Sequence, residues 1–274
     1  MAATPIFILG RHRSGTTWIS NILASLPEIY VLSHEIHRGV HESAYFSHLV
    51  PYCGHGRTDP DLRAVKCLFE CSDFFALTGL TQGPDIISHG MVDYFRSIME
   101  AGARKKGARY WLEKTPANTL QAKFLSDVFP DAILLAVVRN YRDVVASIVH
   151  GFGEPDSAQS WFWQSMVTAV YEKIIARNRG MVVRYEALLT DYEGTVLSMM
   201  RNLGIDSDVV PRSPFHRNTS YQDTPPRNTW WQLMAMAIGR WLVQPLPPWF
   251  VERAVIRWRD RTPGTLPPWF FAQQ

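Results

Sequence analysis

The chain has 274 residues, 46% of them hydrophobic, 12% aromatic and 19% charged. That is the profile of one large packed domain, or two small ones, and it excludes a disordered chain, a collagen-like repeat and a coiled coil. Lys and Arg number 28 against 25 Asp and Glu, a net +3, too small for a protein whose main task is to neutralise nucleic-acid phosphates.

In chain order, Ile6-Phe7-Ile8-Leu9 is a continuous apolar run stopped by Gly10, and residues 15–26 then read as a helix. Strand-like runs recur at 29–32, 110–112, 132–138 and 181–183. Helical patterns lie between them, roughly at 87–104, 117–129, 141–152, 158–179 and 186–203. Strands that are apolar throughout and separated by helices indicate an α/β fold, a parallel sheet of about five strands with helices on both faces. The run at 132–138 is the clearest strand and is expected at the centre.

Composition changes near residue 205. The tail carries the whole net charge, eight arginines against five acidic residues, with 10 of the 18 prolines and six of the 10 tryptophans. Pro-Pro-Trp-Phe occurs at 247–250 and again at 267–270, too little repetition to imply an array. Three cysteines (Cys53, Cys67, Cys71) without paired histidines suggest buried thiols and no metal site. The opening MAATPIFILG lacks the basic-then-apolar pattern of a secretory signal. No run reaches the ~18 apolar residues of a spanning helix, so a cytoplasmic protein is expected.

The segment Gly10-Arg11-His12-Arg13-Ser14-Gly15-Thr16-Thr17 sits between a strand and a helix, the setting of a phosphate-binding loop. Glycines let the backbone curl so that its N–H groups point inward, and the helix N-terminus adds partial positive charge. The spacing is that of ATP-binding loops, but Thr16 occupies the lysine position, so an ordinary ATP site is not expected. Arg139 follows the 132–138 strand at the carboxyl end of the sheet, where such sheets bind ligands. Ser147 lies about two helical turns further on, and an arginine and a hydroxyl together suit a second phosphate.

The block Arg13-Ser14-Gly15-Thr16-Thr17-Trp18, with Arg139 and Ser147, resembles the sulfotransferases that use 3′-phosphoadenosine 5′-phosphosulfate (PAPS). Trp111-Leu112-Glu113-Lys114-Thr115-Pro116-Ala117-Asn118 and Val183-Arg184-Tyr185-Glu186-Ala187-Leu188 are similar to two further blocks of that family, and the resemblance spans about residues 5–205. An arginine before Ser-Gly-Thr-Thr is nearer the tyrosylprotein and bacterial branch. The resemblance implies that the first loop, with Arg13, Ser14, Gly15, Thr16 and Thr17, holds the 5′-phosphosulfate of PAPS, that Arg139 and Ser147 hold its 3′-phosphate, and that Trp18 and Tyr185 also belong to the PAPS-binding residues. It also implies that no metal is needed, since Arg13 and Lys114 can neutralise the leaving charge. The base of this branch is a carboxylate some twenty residues beyond the loop, which points to Glu35, with His34 as second choice and Glu28 and His37 as competitors.

These readings divide the chain into a sulfotransferase core over 1–205 and an extension of the same domain over 206–274. The extension is a candidate lid, acceptor-site or oligomer element, and Arg212, Arg217 and Arg227 are candidate nucleotide contacts. Residues 36–86 and 205–274 are expected to shape the acceptor pocket, for a small-molecule, lipid or carbohydrate acceptor ahead of a protein. A homodimer and a peripheral membrane contact through the Trp- and Arg-rich tail are the expected associations. The expected reaction is sulfuryl transfer to a hydroxyl, an amine coming second. The alternatives are a silent nucleotide-binding regulator of the same fold and a kinase-like phosphotransferase.

Overall fold

The computed structural model describes residues 2–178, 180–206, 209–212 and 228–271. The first half runs β1 (Thr4–Gly10), α1 (Thr16–Ala24), β2 (Ile29–Tyr30), then an antiparallel ribbon of β3 (Ser33–His34) and β4 (Gly39–Val40). Helices α2 (Val50–Tyr52), α3 (Asp59–Glu70), α4 (Asp73–Leu77) and α5 (Ile86–Lys106) lead to β5 (Tyr110–Glu113) and α6 (Ala122–Val128). Then come β6 (Ile133–Val138), α7 (Tyr141–Gly151), α8 (Ala158–Arg177), β7 (Met181–Arg184), α9 (Tyr185–Thr190) and α10 (Tyr192–Asn202). The chain closes with α11 (Trp230–Val243) and α12 (Pro248–Arg261).

Five strands form one parallel sheet in the order β2-β5-β1-β6-β7. The middle strand is therefore β1, and β6, expected there, is its neighbour. Length and apolarity mark a strand as buried on both faces, but pairing order depends on how the crossovers return.

Alternation along β1 separates two cores. Phe7 and Leu9 face Trp111, Phe46, Phe95 and Phe129, whereas Ile6 and Ile8 face Ile19, Ile22 and Leu23 of α1 and Val196 and Met200 of α10. On the first face the ring of Phe7 lies 5.5 Å from Trp111 and 5.1 Å from Phe129, in edge-on or tilted contacts each worth about 0.5–1.5 kcal/mol beyond area burial. A sheet covered on both faces leaves only its ends free for a ligand.

Two expected helices are divided. The 117–129 pattern begins as a 3-10 turn, Pro116–Gln121, before α6. The 186–203 pattern breaks at Asp191, whose backbone is extended (φ −147°, ψ 79°) and whose carboxylate accepts from Gly194 N at 3.0 Å to start α10. Short Asp side chains compete for backbone donors in this way and favour helix starts over interiors. The helices between 50 and 77 stand in a stretch to which the sequence assigned no element. The signal for α3 is a capping box, Thr58 with Asp61, and Pro60 in the first turn.

The tail packs onto this body. Ala235 and Met236 of α11 join Trp161 of α8 in one apolar cluster. At Gly239 a Cβ would stand 2.4 Å from the carbonyl oxygen of Phe162, so the two helices approach there as only glycine allows. Phe270 is buried in the same core as Phe7.

Candidate active site

The loop after β1 is curled by its glycines. Gly10 has φ +154° and Gly15 φ +101°. A Cβ on Gly10 would meet Ser14 Oγ at 2.7 Å and the Val137 carbonyl oxygen at 2.8 Å, and one on Gly15 would meet the Tyr185 ring at 2.5 Å. Arg13 is also left-handed at φ 71°, a conformation that non-glycine residues adopt at a cost and that clusters at functional sites. No side chain among the described residues caps α1, and the amides of Thr16 and Thr17 stand at the positive end of the helix, where an anion is favoured. The buried Ser14 Oγ also lacks a hydrogen-bond partner among the described residues.

Thr119 ties this loop to the segment after β5, accepting from Gly10 N at 2.7 Å and donating to the Pro116 carbonyl at 2.8 Å. Arg139, at the end of β6, is buried; it donates to the Arg13 carbonyl oxygen at 3.3 Å and lies 4.4 Å over the Tyr185 ring. Ser147 on α7 accepts from Arg13 Nε at 2.8 Å. Arg13, Arg139, Ser147 and Tyr185, up to 172 residues apart in the chain, are thus gathered around Ser14–Thr17. Trp18 is buried beside them, its ring 5.3 Å from Tyr185.

A cavity of about 400 Å³ opens here, walled by Arg13, Thr16, Thr17, Trp18, Arg139 and Tyr185 on one side and by Ile36, His37, Arg38, Glu42 and Lys114 on the other. Lys114 is 1% exposed and donates to Glu42 Oε1 at 2.8 Å. Its neighbour Glu113 does not pair with it. Glu113 is fully buried and accepts from Ser43 Oγ at 2.7 Å, Asn118 Nδ2 at 2.7 Å and the Thr115 hydroxyl. Burial pushes its carboxyl above the usual range, against the pull of those hydrogen bonds. Because Glu113 grips Ser43, it sets Glu42 opposite Lys114.

The site is electrically asymmetric. Burial alone would raise the Glu42 carboxyl, but Lys114 and His12 outweigh it and hold the group below the usual carboxylate range. Burial lowers His12 and His37 to about 4 each, so both rings are neutral at pH 7. The site therefore offers an ionised carboxylate, two neutral imidazoles and four cations, Arg13, Arg38, Lys114 and Arg139.

Glu35 is not brought to this cavity. It lies exposed on the 3-10 turn Glu35–His37, beside the wall residues Ile36 and His37, and neither it nor His34 lines the wall. Glu28 does not line it either, whereas His37 does. Glu42, which sequence spacing passed over, is the carboxylate at the site. Nothing in the local pattern marks it, because its place follows from the Ser43–Glu113 contact. The β3–β4 ribbon is held to α1 by Asn21, which donates to the Arg38 carbonyl oxygen and accepts from Val40 N. The ring of Trp269, in the second Pro-Pro-Trp-Phe, stands edge-on to His37 at 4.5 Å, so the tail reaches the cavity rim. Arg212 does not line the cavity, and Arg217 and Arg227 lie outside the described residues. Among the described residues no group of His, Cys, Asp and Glu is placed to hold a metal ion.

The family model described as "Sulfotransferase family" matches residues 5–208. The fold is similar to the sulfotransferase domain of the Synechococcus PCC 7002 olefin synthase, at 16% identity and TM-score 0.51, covering 97% of each chain. Sulfotransferase STF1 from Mycobacterium tuberculosis H37Rv aligns at 16% identity and TM-score 0.49, over 93% of this chain and 77% of that one. No curated protein sequence matches the chain.

Proposed function

The chain belongs to the sulfotransferase family, and from that premise we propose that it transfers a sulfuryl group from PAPS to an acceptor hydroxyl, with Glu42 as the base and Lys114 and Arg13 as the charge-neutralising cations. The observation that carries this reading is the single cavity shared by the 10–17 loop, Arg139 and the Lys114–Glu42 pair.

The residues present fit a doubly phosphorylated nucleotide. The start of α1, with Gly15, Thr16 and Thr17 on the cavity wall, suits the 5′ side. Arg139, whose Nε lacks a hydrogen-bond partner among the described residues, suits the 3′-phosphate together with Ser147. When bound, PAPS supplies the sulfuryl group, and adenosine 3′,5′-bisphosphate is the leaving product.

Glu42 is ionised at neutral pH and can take the acceptor's proton at its Oε atoms. Lys114, buried and held by that same carboxylate, presents its ammonium where negative charge grows. Arg13 adds a second cation from the loop. The wall formed by Ile36, His37, Arg38 and Phe152 is left to orient the acceptor. Arginine and lysine perform the neutralisation, so the scheme calls on no metal.

A thermal-shift titration with adenosine 3′,5′-bisphosphate, ATP with magnesium, and 5′-AMP tests the reading. A ligand that binds only the native state adds about 2.7 kcal/mol of stability at a hundredfold excess over Kd. The expected result is a clear shift with the bisphosphate and little with the other two. A shift confined to ATP with magnesium would replace this reading with the kinase-like one. Binding without turnover on any acceptor would leave the silent regulator.

A further inference from the structure

We propose that the outward face of α11 and α12 is a docking surface for an anionic lipid membrane. The inference is independent of the sulfuryl-transfer reading, because it uses no residue of the cavity.

Helix α11 buries Ala235, Met236, Gly239 and Val243 toward α8, yet its opposite side is also apolar. Trp230, Met234, Ile238 and Trp241 recur at intervals of four, four and three, one helical face, and the two tryptophans are 73% and 68% exposed. Helix α12 continues the pattern. Phe250, Ala254 and Trp258 form an i, i+4, i+8 ridge, with Trp258 60% exposed. On one flank of the ridge lies an apolar trough shared with Val243 and Leu246. On the other flank is a groove of about 370 Å³ lined by Arg253, Arg257 and Arg261.

Charge selects the occupant. These three arginines are exposed, and none has an ion-pair partner among the described residues. The acids nearby are engaged. Glu252 is buried and pairs with Arg177 at 3.5 Å, Asp260 pairs with Arg259 at 3.1 Å, and Glu172 pairs with Arg240 at 2.8 Å. A second copy docking about a two-fold axis would set this cationic stripe against itself. A surface of anionic headgroups over acyl chains complements both halves of the face. Arginines meet phosphates, and tryptophans settle at the boundary, where one side of the ring is dry and the other wet. Among the described residues no helix is long and apolar enough to cross a bilayer, so the contact lies along the surface.

The test floats the full chain with vesicles of phosphatidylcholine alone and of phosphatidylcholine with 30% phosphatidylglycerol, at low and high salt. The expected result is salt-sensitive binding to the anionic vesicles, with tryptophan emission quenched by brominated acyl chains. The triple variant Arg253→Gln, Arg257→Gln, Arg261→Gln should weaken binding to anionic vesicles by about a hundredfold, taking roughly fivefold per arginine. Trp230→Ser with Trp241→Ser and Trp258→Ser should remove most of the quenching while leaving the melting temperature near wild type, since these side chains are mostly in water. Absence of flotation on anionic vesicles would overturn the proposal. So would light scattering that shows a dimer which those tryptophan substitutions convert to monomer.

Discussion

Glu42 and Lys114 are 72 residues apart in the chain and meet at 2.8 Å. Truncating one partner of a buried ion pair leaves the other charge uncompensated, so such a pair is better probed by isosteric change. Glu42→Gln removes the charge and the base but keeps the shape and an oxygen that accepts from Lys114. We expect kcat to fall by ~10²-fold or more while bisphosphate affinity holds, the scale of a positioned general base. Glu35→Gln, exposed and off the cavity wall, should leave kcat within about twofold. Steady-state kinetics on any accepted hydroxyl decides between them, and the reverse pattern would return the role to Glu35.

The strand-loop-helix formed by β1, the 10–17 loop and α1 works only as a unit. Gly15 holds the turn at φ +101° with the Tyr185 ring against it. Gly15→Ala adds a Cβ into that ring and an unfavourable backbone angle, which should cost ~1–3 kcal/mol of stability. The larger effect is expected on the ligand, since any shift of the loop re-aims the first-turn amides. The variant should lose most of the bisphosphate-induced thermal shift. An unchanged melting temperature with an unchanged shift would show that the turn tolerates the methyl and that the loop does not hold the nucleotide.

The molecule as a whole stores uncharged imidazoles. Burial lowers His12 and His37 to about 4, and His41 to about 3, where His37, His34 and Lys114 add repulsion that Glu42 only partly offsets. Each folded-state value lies below the ordinary 6.5 of an unfolded chain, so the unfolded state takes up protons first as pH falls. Stability is therefore level above about pH 7 and declines from about pH 6.5 toward 4. Glu42 is also shifted below its own reference, so it adds a further loss only as pH falls through the usual carboxylate range. For His41 alone the loss is about 3 kcal/mol by pH 4.5, because over about two pH units only the unfolded state takes up the proton. Melting temperatures of wild type and His41→Phe between pH 7.5 and 4.5 measure it, and the variant should show the shallower slope. Parallel curves would mean that His41 titrates normally in the fold.

Much of this was written locally. The apolar runs of β1, β5 and β6 read as strands buried on both faces, and β7 joins them as an edge strand with Val182 exposed. The glycine spacing at 10 and 15 could only be a curled turn, and Arg139 had to emerge at the carboxyl end of the sheet because β6 ends there. These features depend on neighbours within a few residues, which is the range over which steric and periodic rules act. The identity of the carboxylate at the site was different. Spacing favoured Glu35, but the β3–β4 ribbon turns that residue out to solvent, and a buried hydrogen bond between Ser43 and Glu113 brings Glu42 in. The same holds for the order of the sheet and for the tail, whose Phe270 enters the main core and whose Trp269 reaches His37. Local sequence sets the conformation of each segment. Which distant segments share a cavity is settled by the packing of the whole chain, since a contact across 72 residues leaves no period or spacing to read.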